Sequence, residues 1–493
     1  LVNLQSLRRL RTEGDAVKKL FMGVRLKRLR EERQLTQQAL ADAIGISLSY
    51  LNQIENNQRP LTVAVLLKLN AAFGVDVQLF SGEDEARLVG ELREALFDPG
   101  IGEEISSAEL KEIATGMPAV GRAIVGLHKR LARALEQSAA LAVRLGGDRL
   151  GDSGQGVSPV AAAPFEEVRD FFYARHNHID ALDRAAEVAT AALGLLPGRM
   201  VPALEAYLAG RHGVRVLRHA QAAGPGVQRA FEPETRALRL SDRLSAGQQA
   251  FQMATQLAFL EYGGLIETEL AEAFFSNAET RALARIGLAN YFAGALVLPY
   301  AAFLQSAKEL RYDIDLLGQK FGVGFETVCH RLSTLQRPGA RGVPLFFIRV
   351  DRAGNISKRQ SATDFHFSRA GGTCPLWNVY EAFTRPGRIV TQLAEMPDGR
   401  TYLWVARTVD HTVGGYGTPD KTFAIGLGCD LQHAPSLVYS KGLRLDDAEA
   451  RTPIGAGCKI CERPSCPQRA FPPVTQTLRI DETRSTFVPY SSM

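Results

Sequence analysis

The sequence predicts a multidomain, mainly α chain with an α+β C-terminal domain, on three observations. Short helices with clear caps fill residues 20–82. Helical periodicity then runs to about residue 337, interrupted at 146–163 by a Gly/Ala/Ser-rich stretch that reads as a linker. Beyond Arg341 the pattern changes to strand-like alternation, and three of the six cysteines fall within nine residues, at Cys458, Cys461 and Cys466. With 45% hydrophobic and 23% charged residues the composition is that of a globular chain and excludes a disordered one. Net charge is only +5, so any nucleic-acid surface has to be local.

The expected divisions follow from these shifts. Residues 1–19 carry no apolar periodicity of their own and read as a non-native or flexible extension. Residues 20–82 form a helix-turn-helix unit, 83–145 a helical dimerisation or connector region, 164–337 a helical domain and 338–493 a cysteine-rich mixed domain. The longest apolar run, Phe292 to Leu304, is short for a membrane span and is broken by Pro299. With no secretory leader to be read, a cytoplasmic protein with no membrane partner is expected, its thiols reduced and available as ligands.

Positive charge gathers at the N-terminus: Arg8, Arg9, Arg11, Lys18, Lys19, Arg25, Lys27, Arg28, Arg30 and Arg33 all precede residue 35. Val24, Leu26 and Leu29 give a first helix its apolar stripe. Thr36 caps a second, over 37–43, because its hydroxyl accepts an orphan N–H of the first turn. Gly45 permits the turn, Ile46 anchors it and Ser47 caps a third helix, with Leu48, Leu51 and Ile54 expected to face inward. Ser49, Tyr50, Asn52 and Gln53 are then left outward, the polar side chains that base edges and phosphates require.

Leu35–Glu55 resembles the phage-repressor (XRE/Cro-type) helix-turn-helix over its whole length. The resemblance implies that Gln37, Ser47, Ser49, Tyr50, Asn52 and Gln53 contact operator double-stranded DNA and that Arg59 meets its backbone. Such units bind as dimers on half-sites about one helical turn apart. Leu88, Leu92 and Leu96, then Ile124, Leu127, Leu131 and Leu135, offer amphipathic faces for a homodimer or higher oligomer, or for an internal core.

In the middle region Phe251–Glu261 reads as an apolar helix after Leu244–Gly247. It resembles the helix that carries the zinc-binding His-Glu-x-x-His of IrrE-like metallopeptidase domains. Zinc hydrolysis needs two His four residues apart and a Glu to activate water. Those places hold Thr255, Gln256 and Phe259, and Leu288 stands where that family's third ligand would be. A degenerate, pseudo-peptidase scaffold is therefore expected, free to bind a ligand and not an enzyme. Arg169, Tyr173 and Arg175 on the amphipathic stretch 166–177 could line a site for an acyl or phosphate-bearing ligand.

Strands are expected over Pro344–Val350, Tyr402–Arg407 and Thr422–Gly428. Cys458, Cys461 and Cys466-Pro467, at C-x2-C-x4-C-P spacing, present thiolates for a soft metal or an iron–sulfur cluster. Cys374 and Cys429 both follow Gly-rich turns, and either can be the fourth ligand; His433 is a weaker candidate, and Cys329 reads as a buried structural thiol. An all-thiolate zinc site satisfies the same pattern, while the Cys-Pro ending and the fifth thiol favour the cluster.

Arg341–Thr363, Cys374–Glu381, Met396–Arg400 and Cys466–Pro472 look like the short-chain fatty acyl transcriptional regulators of actinobacteria, nearest to those of the methylcitrate cycle and propionate catabolism, with glyoxylate/acetate regulators as siblings. The resemblance runs from about residue 17 to the end and supports Val17 as a natural start. It implies a 4Fe–4S cluster held among Cys374, Cys429, Cys458, Cys461 and Cys466, and sensing of a short-chain acyl-CoA such as propionyl-CoA. For that ligand, Lys358 and Arg359 are candidates for the phosphates, and Arg169, Tyr173 and Tyr291 for the border of the acyl slot. Two other readings remain: a redox-only regulator, and a metal-dependent peptidase acting on a repressor.

Overall fold

Local chemistry sets the N-terminal helices. In the computed structural model they span Gly23–Glu32 (α1), Gln37–Ile44 (α2), Leu48–Glu55 (α3) and Val63–Phe73 (α4). Thr36 accepts the Ala39 N–H and Ser47 that of Tyr50, while Gly45 takes a left-handed φ of 59° that ends α2. Leu26, Leu40, Ile44, Leu51, Ile54 and Leu69 close a core between these helices. Leu48 departs from expectation: as the first residue of α3 it lies beyond the reach of that core and is 42% exposed.

The structure describes residues 23–56, 58–73, 83–96, 105–131, 164–219, 227–363, 365, 373–411, 417, 421–458, 461, 463, 466–472, 478–479, 483 and 491–492. The expected extension at 1–19, the linker at 146–163 and Leu135 lie outside them. The chain divides into two compact units, residues 1–92 with 105–125, and residues 93–104 with 126–493. Among the described residues no single helix is long and apolar enough to cross a membrane.

Helices Glu83–Leu96 (α5), Ser107–Gly116 (α6) and 118–131 (α7) follow, residues 83–92 and 105–125 of them belonging to the first unit. Ser106 and Glu109 form a reciprocal capping box on α6. Leu88 and Leu92 are buried, as the amphipathic pattern requires, and Gly121 sits so close that an added Cβ would stand 3.2 Å from Leu88. Leu127 and Leu131, in the second unit, are more than half exposed.

The second unit is built on helices Pro164–Ala174 (α8), Asp180–Ala192 (α9), Met200–His212 (α10), Ala246–Glu261 (α11), Gly263–Ala271 (α12), Ala278–Val297 (α13), Tyr300–Glu309 (α14), Ile314–Phe321 (α15) and Phe325–Leu332 (α16). Between α10 and α11 lies a three-stranded sheet that the helical reading of this region missed. Its strands are Arg215–His219 (β1), Arg229–Glu232 (β2) and Ala237–Ser241 (β3), in order β1-β3-β2. They are too short and too arginine-rich to alternate visibly.

Beyond them Phe346–Val350 (β4), Ile356–Ser361 (β5), Val390–Glu395 (β6), Thr401–His411 (β7), Lys421–Asp430 (β8) and Thr452–Pro453 (β9) form a six-stranded sheet in order β5-β4-β8-β7-β6-β9. Each expected strand is present, with β7 and β8 longer than the sequence pattern suggested. Successive side chains point to opposite faces of a strand, and here both faces are buried. Phe347, Leu403, Val405, Leu427 and Cys429 join the core of the helices. Phe346, Ile348, Tyr402 and Trp404 join a second cluster with Phe365, Cys374 and Trp377. The expected boundary at 337/338 therefore falls inside one continuous core that runs from Phe171 to Leu437.

A buried ion pair ties the helices together. Arg331 on α16 donates to Asp183 on α9 at 2.5 Å, and Tyr291 on α13 donates to the other carboxylate oxygen at 2.6 Å. Burial alone would raise the Asp183 carboxyl. The Arg331 charge and hydrogen bonds from His178, Arg331 and Tyr291 instead hold it well below the usual carboxylate range.

Candidate DNA-reading helix and thiol pocket

Helix α3 presents Ser49 and Asn52 to solvent, with Tyr50 and Gln53 half-buried beside them. Ser47 is occupied as the cap of the helix, and Asn52 Oδ1 accepts from Asn56 at 2.9 Å. The Arg59 guanidinium lies over the Tyr50 ring at 5.7 Å, which braces the far end of the reading surface. Gln37 is held from within: its Nε2 donates to Glu55 at 2.7 Å, and Arg30 donates to the same buried carboxylate at 2.8 Å. The Glu55 hydrogen bond holds the Arg30 guanidinium above its usual range. Glu55, which sequence reasoning left unmarked, thus anchors one of the expected DNA contacts to the recognition helix. Its only signal was an acidic residue on the side of α3 that faces inward.

At the other end of the chain four thiols meet. Cys374, Cys458, Cys461 and Cys466 line one small, partly open pocket together with Gly455, Gly457, Arg463 and Arg469. Three of these cysteines are buried and Cys466 is partly open. Among the described residues no three His, Cys, Asp or Glu side chains converge on a single metal-ion position; the four thiols are pocket neighbours.

The backbone around this pocket is fixed by groups the sequence did not flag. Gly455 donates its N–H to Cys374 Sγ at 3.4 Å, and its carbonyl accepts from the Trp377 indole at 3.0 Å. A Cβ on Gly455 would stand 2.6 Å from Cys461 Sγ, so only glycine leaves that thiol its place. Buried Arg469 donates to the carbonyls of Cys458 and Cys461 at 3.2 Å each, and Arg463 donates to those of Ile454 and Glu395. Burial pushes the Cys374 thiol up to about 11 and raises Cys461 too. A bound metal would reverse that by taking the thiolates.

Of the two alternatives left for the fourth thiol, Cys374 lines the pocket and Cys429 does not. Cys429 sits on β8 opposite Leu403, on the sheet face that packs into the helical core, whereas Cys374 belongs to the cluster on the other face. Full burial among apolar side chains drives the Cys429 thiol far above the usual range. His433, on the 3-10 helix Leu431–Ser436, is likewise not among the pocket's residues. Cys329 is fully buried in α16, as expected of a structural thiol.

The expected acyl-ligand residues do not assemble into one site. Tyr291 is spent in the Asp183 network and accepts the Ile179 N–H, so it borders no slot. Arg175 stacks on Phe171 and pairs with Glu272 at 3.6 Å, Arg169 lies over Phe165, and Tyr173 is half-buried on the same helix. Lys358 and Arg359 are neighbours on β5 and therefore point to opposite faces; Lys358 pairs with Glu326 at 3.3 Å. Of the positions that matched the peptidase signature, Thr255, Gln256 and Leu288 are buried and Phe259 packs against the core.

Three families match the chain in order: "Helix-turn-helix" at residues 26–80, "IrrE N-terminal-like domain" at 209–333, and "Short-chain fatty acyl coenzyme A regulator, C-terminal" at 334–490. The HTH-type transcriptional regulator RamB of Mycobacterium tuberculosis is 52% identical over 475 residues, 96% of this chain and 98% of that protein. The propionyl-CoA carboxylase regulator of Cereibacter sphaeroides is 45% identical over 472 residues, 96% and 98% of the two chains. A solved Mycobacterium tuberculosis transcriptional regulator superposes with a TM-score of 0.65 at 55% identity, covering 67% of this chain and 99% of its own.

Proposed function

The chain belongs to the short-chain fatty acyl transcriptional regulators, and from that premise we propose that it is a dimeric, acyl-CoA-responsive operator-binding protein whose C-terminal thiols hold a 4Fe–4S cluster. It regulates transcription in short-chain fatty acyl metabolism through its helix-turn-helix; the effector, the cluster and the dimer are the proposed part. The observation that carries the proposal is the gathering of Cys374, Cys458, Cys461 and Cys466 around one pocket in a chain that also presents a capped recognition helix.

The residues fit a cluster. Four thiols line one pocket, the Gly455 N–H reaches one of the sulfurs, and Arg463 and Arg469 place positive charge beside a group that would be anionic. When bound, such a cluster supplies a one-electron couple and cross-links the loop between β9 and Cys466 to the Cys374 turn. The pseudo-peptidase positions offer Thr255, Gln256, Phe259 and Leu288, none of which binds zinc or activates water, so the function is regulation and not hydrolysis.

An acyl-CoA acts by binding one conformation better than another, which shifts the population competent for DNA. Two copies are required to read two half-sites. The test is operator binding by the anaerobically purified chain with and without propionyl-CoA. A change of fivefold or more is expected, since allosteric couplings run to about 1–3 kcal/mol. Tight propionyl-CoA binding with unchanged operator affinity would refute the sensing part.

A further inference from the structure

The place where a peptidase would keep its catalytic glutamate holds Gln256, and opposite it stands a cation. Arg229, from β2, donates its Nη1 to Gln256 Oε1 at 3.0 Å. That neutral amide oxygen is the one hydrogen-bond acceptor the guanidinium has among the described residues. Burial pushes it below its usual range with no acidic neighbour to offset the cost. A glutamate at 256 would have neutralised it.

The surroundings add charge of the same sign. The Arg229 and Arg285 guanidiniums lie 5.4 and 5.2 Å from the centroid of one ring, Phe259. Arg285 and Arg281 both lean on a single carboxylate, Glu267, at 3.0 and 2.7 Å. Two guanidiniums thus share one acid, and Arg229 beside them has none among the described residues. Beside them Thr255 donates to Oδ1 of exposed Asn290 on α13 at 3.4 Å, and Arg229 and Arg285 are themselves partly exposed.

We propose that Arg229 and Gln256, with Arg285 beside Phe259, form an anion subsite in the vestigial peptidase site, which takes a phosphate group of the regulator's acyl-CoA effector. The proposal rests on the acyl-CoA reading above and assigns that effector a site none of the residues expected from the sequence supplies. Loss of the metal ligands and of the catalytic carboxylate then has a single consequence: a site built to hold a cation becomes one that holds an anion.

The test is calorimetric titration of the full chain, purified anaerobically, with propionyl-CoA, propionate and inorganic phosphate. It compares wild type with Arg229→Gln and Gln256→Glu. The second substitution keeps the side-chain shape and gives Arg229 an internal partner, so it removes the subsite without removing the arginine. Both variants are expected to weaken propionyl-CoA at least tenfold with unchanged melting temperature and visible spectrum. A parallel loss of phosphate binding assigns the subsite to the CoA phosphates; propionate, whose carboxylate is absent from the thioester, serves as the control for non-specific anion binding. Wild-type affinity for propionyl-CoA in both variants would overturn the subsite and leave acyl-CoA sensing standing. A wild type that binds no propionyl-CoA would sink the sensing reading. The subsite would then survive only if phosphate bound and Arg229→Gln abolished it.

Discussion

His330 shows how much a single side chain can bind stability to pH. It is half-buried on α16 with its ring against Phe347, and the Gln360 amide donates to its Nε2 at 3.1 Å, which requires that nitrogen to be unprotonated. Ser333 fixes the amide by donating to its oxygen at 2.9 Å. Burial first, then the charges of Lys358, Arg331 and Arg349 against that of Glu326, pushes the imidazole down to about 3. The unfolded chain would bind a proton there near pH 6.5 and the folded chain would not. Stability from this group is therefore complete above pH 6.5 and lost between 6.5 and 3. Thermal midpoints measured across that window should fall more steeply in wild type than in His330→Gln; parallel curves would contradict the assignment. Neither this contact nor the Asp183–Arg331 pair was legible in the sequence, because partners 30 and 148 positions apart leave no periodic trace.

Elements were legible where their signals are local. Thr36, Ser47 and Gly45 announce α2 and α3 because a cap or a left-handed turn is decided by one residue. The interior strands β4, β7 and β8 were readable from their apolar runs, whereas β5 and β6 carry polar faces that resemble loops. Leu48 was misplaced because helical spacing alone does not say where the core ends. On α3 itself, Asn52 is exposed and its removal leaves no cavity. Asn52→Ala should weaken operator binding by about 1–3 kcal/mol while leaving the melting temperature within a degree or so of wild type. Fluorescence anisotropy against operator and a scrambled duplex checks this. Equal binding by wild type and variant would remove Asn52 from the reading surface.

At the scale of the whole molecule, two distant segments of the C-terminal region converge on one pocket. Cys374 lies 84 residues before Cys458, yet β9 pairing beside β6 and the Trp377–Gly455 hydrogen bond bring their loops together. The sequence supplied the five candidate thiols but left the fourth ligand open, because spacing does not reveal which face of a sheet a cysteine takes. The register of β8 does: Cys429 opposes Leu403 and turns into the helical core. The same sheet face joins the middle and C-terminal segments, distinct as families, in one core.

The most direct test is iron, sulfide and zinc analysis, with an absorbance spectrum, of the anaerobically purified wild type, Cys374→Ser and Cys429→Ser chains. About four iron and four sulfide per wild-type chain with a broad visible band are expected. Loss of both is expected in Cys374→Ser, and their retention in Cys429→Ser. A colourless wild type with one zinc and no sulfide would contradict the cluster. Loss in Cys429→Ser with retention in Cys374→Ser would contradict the pocket.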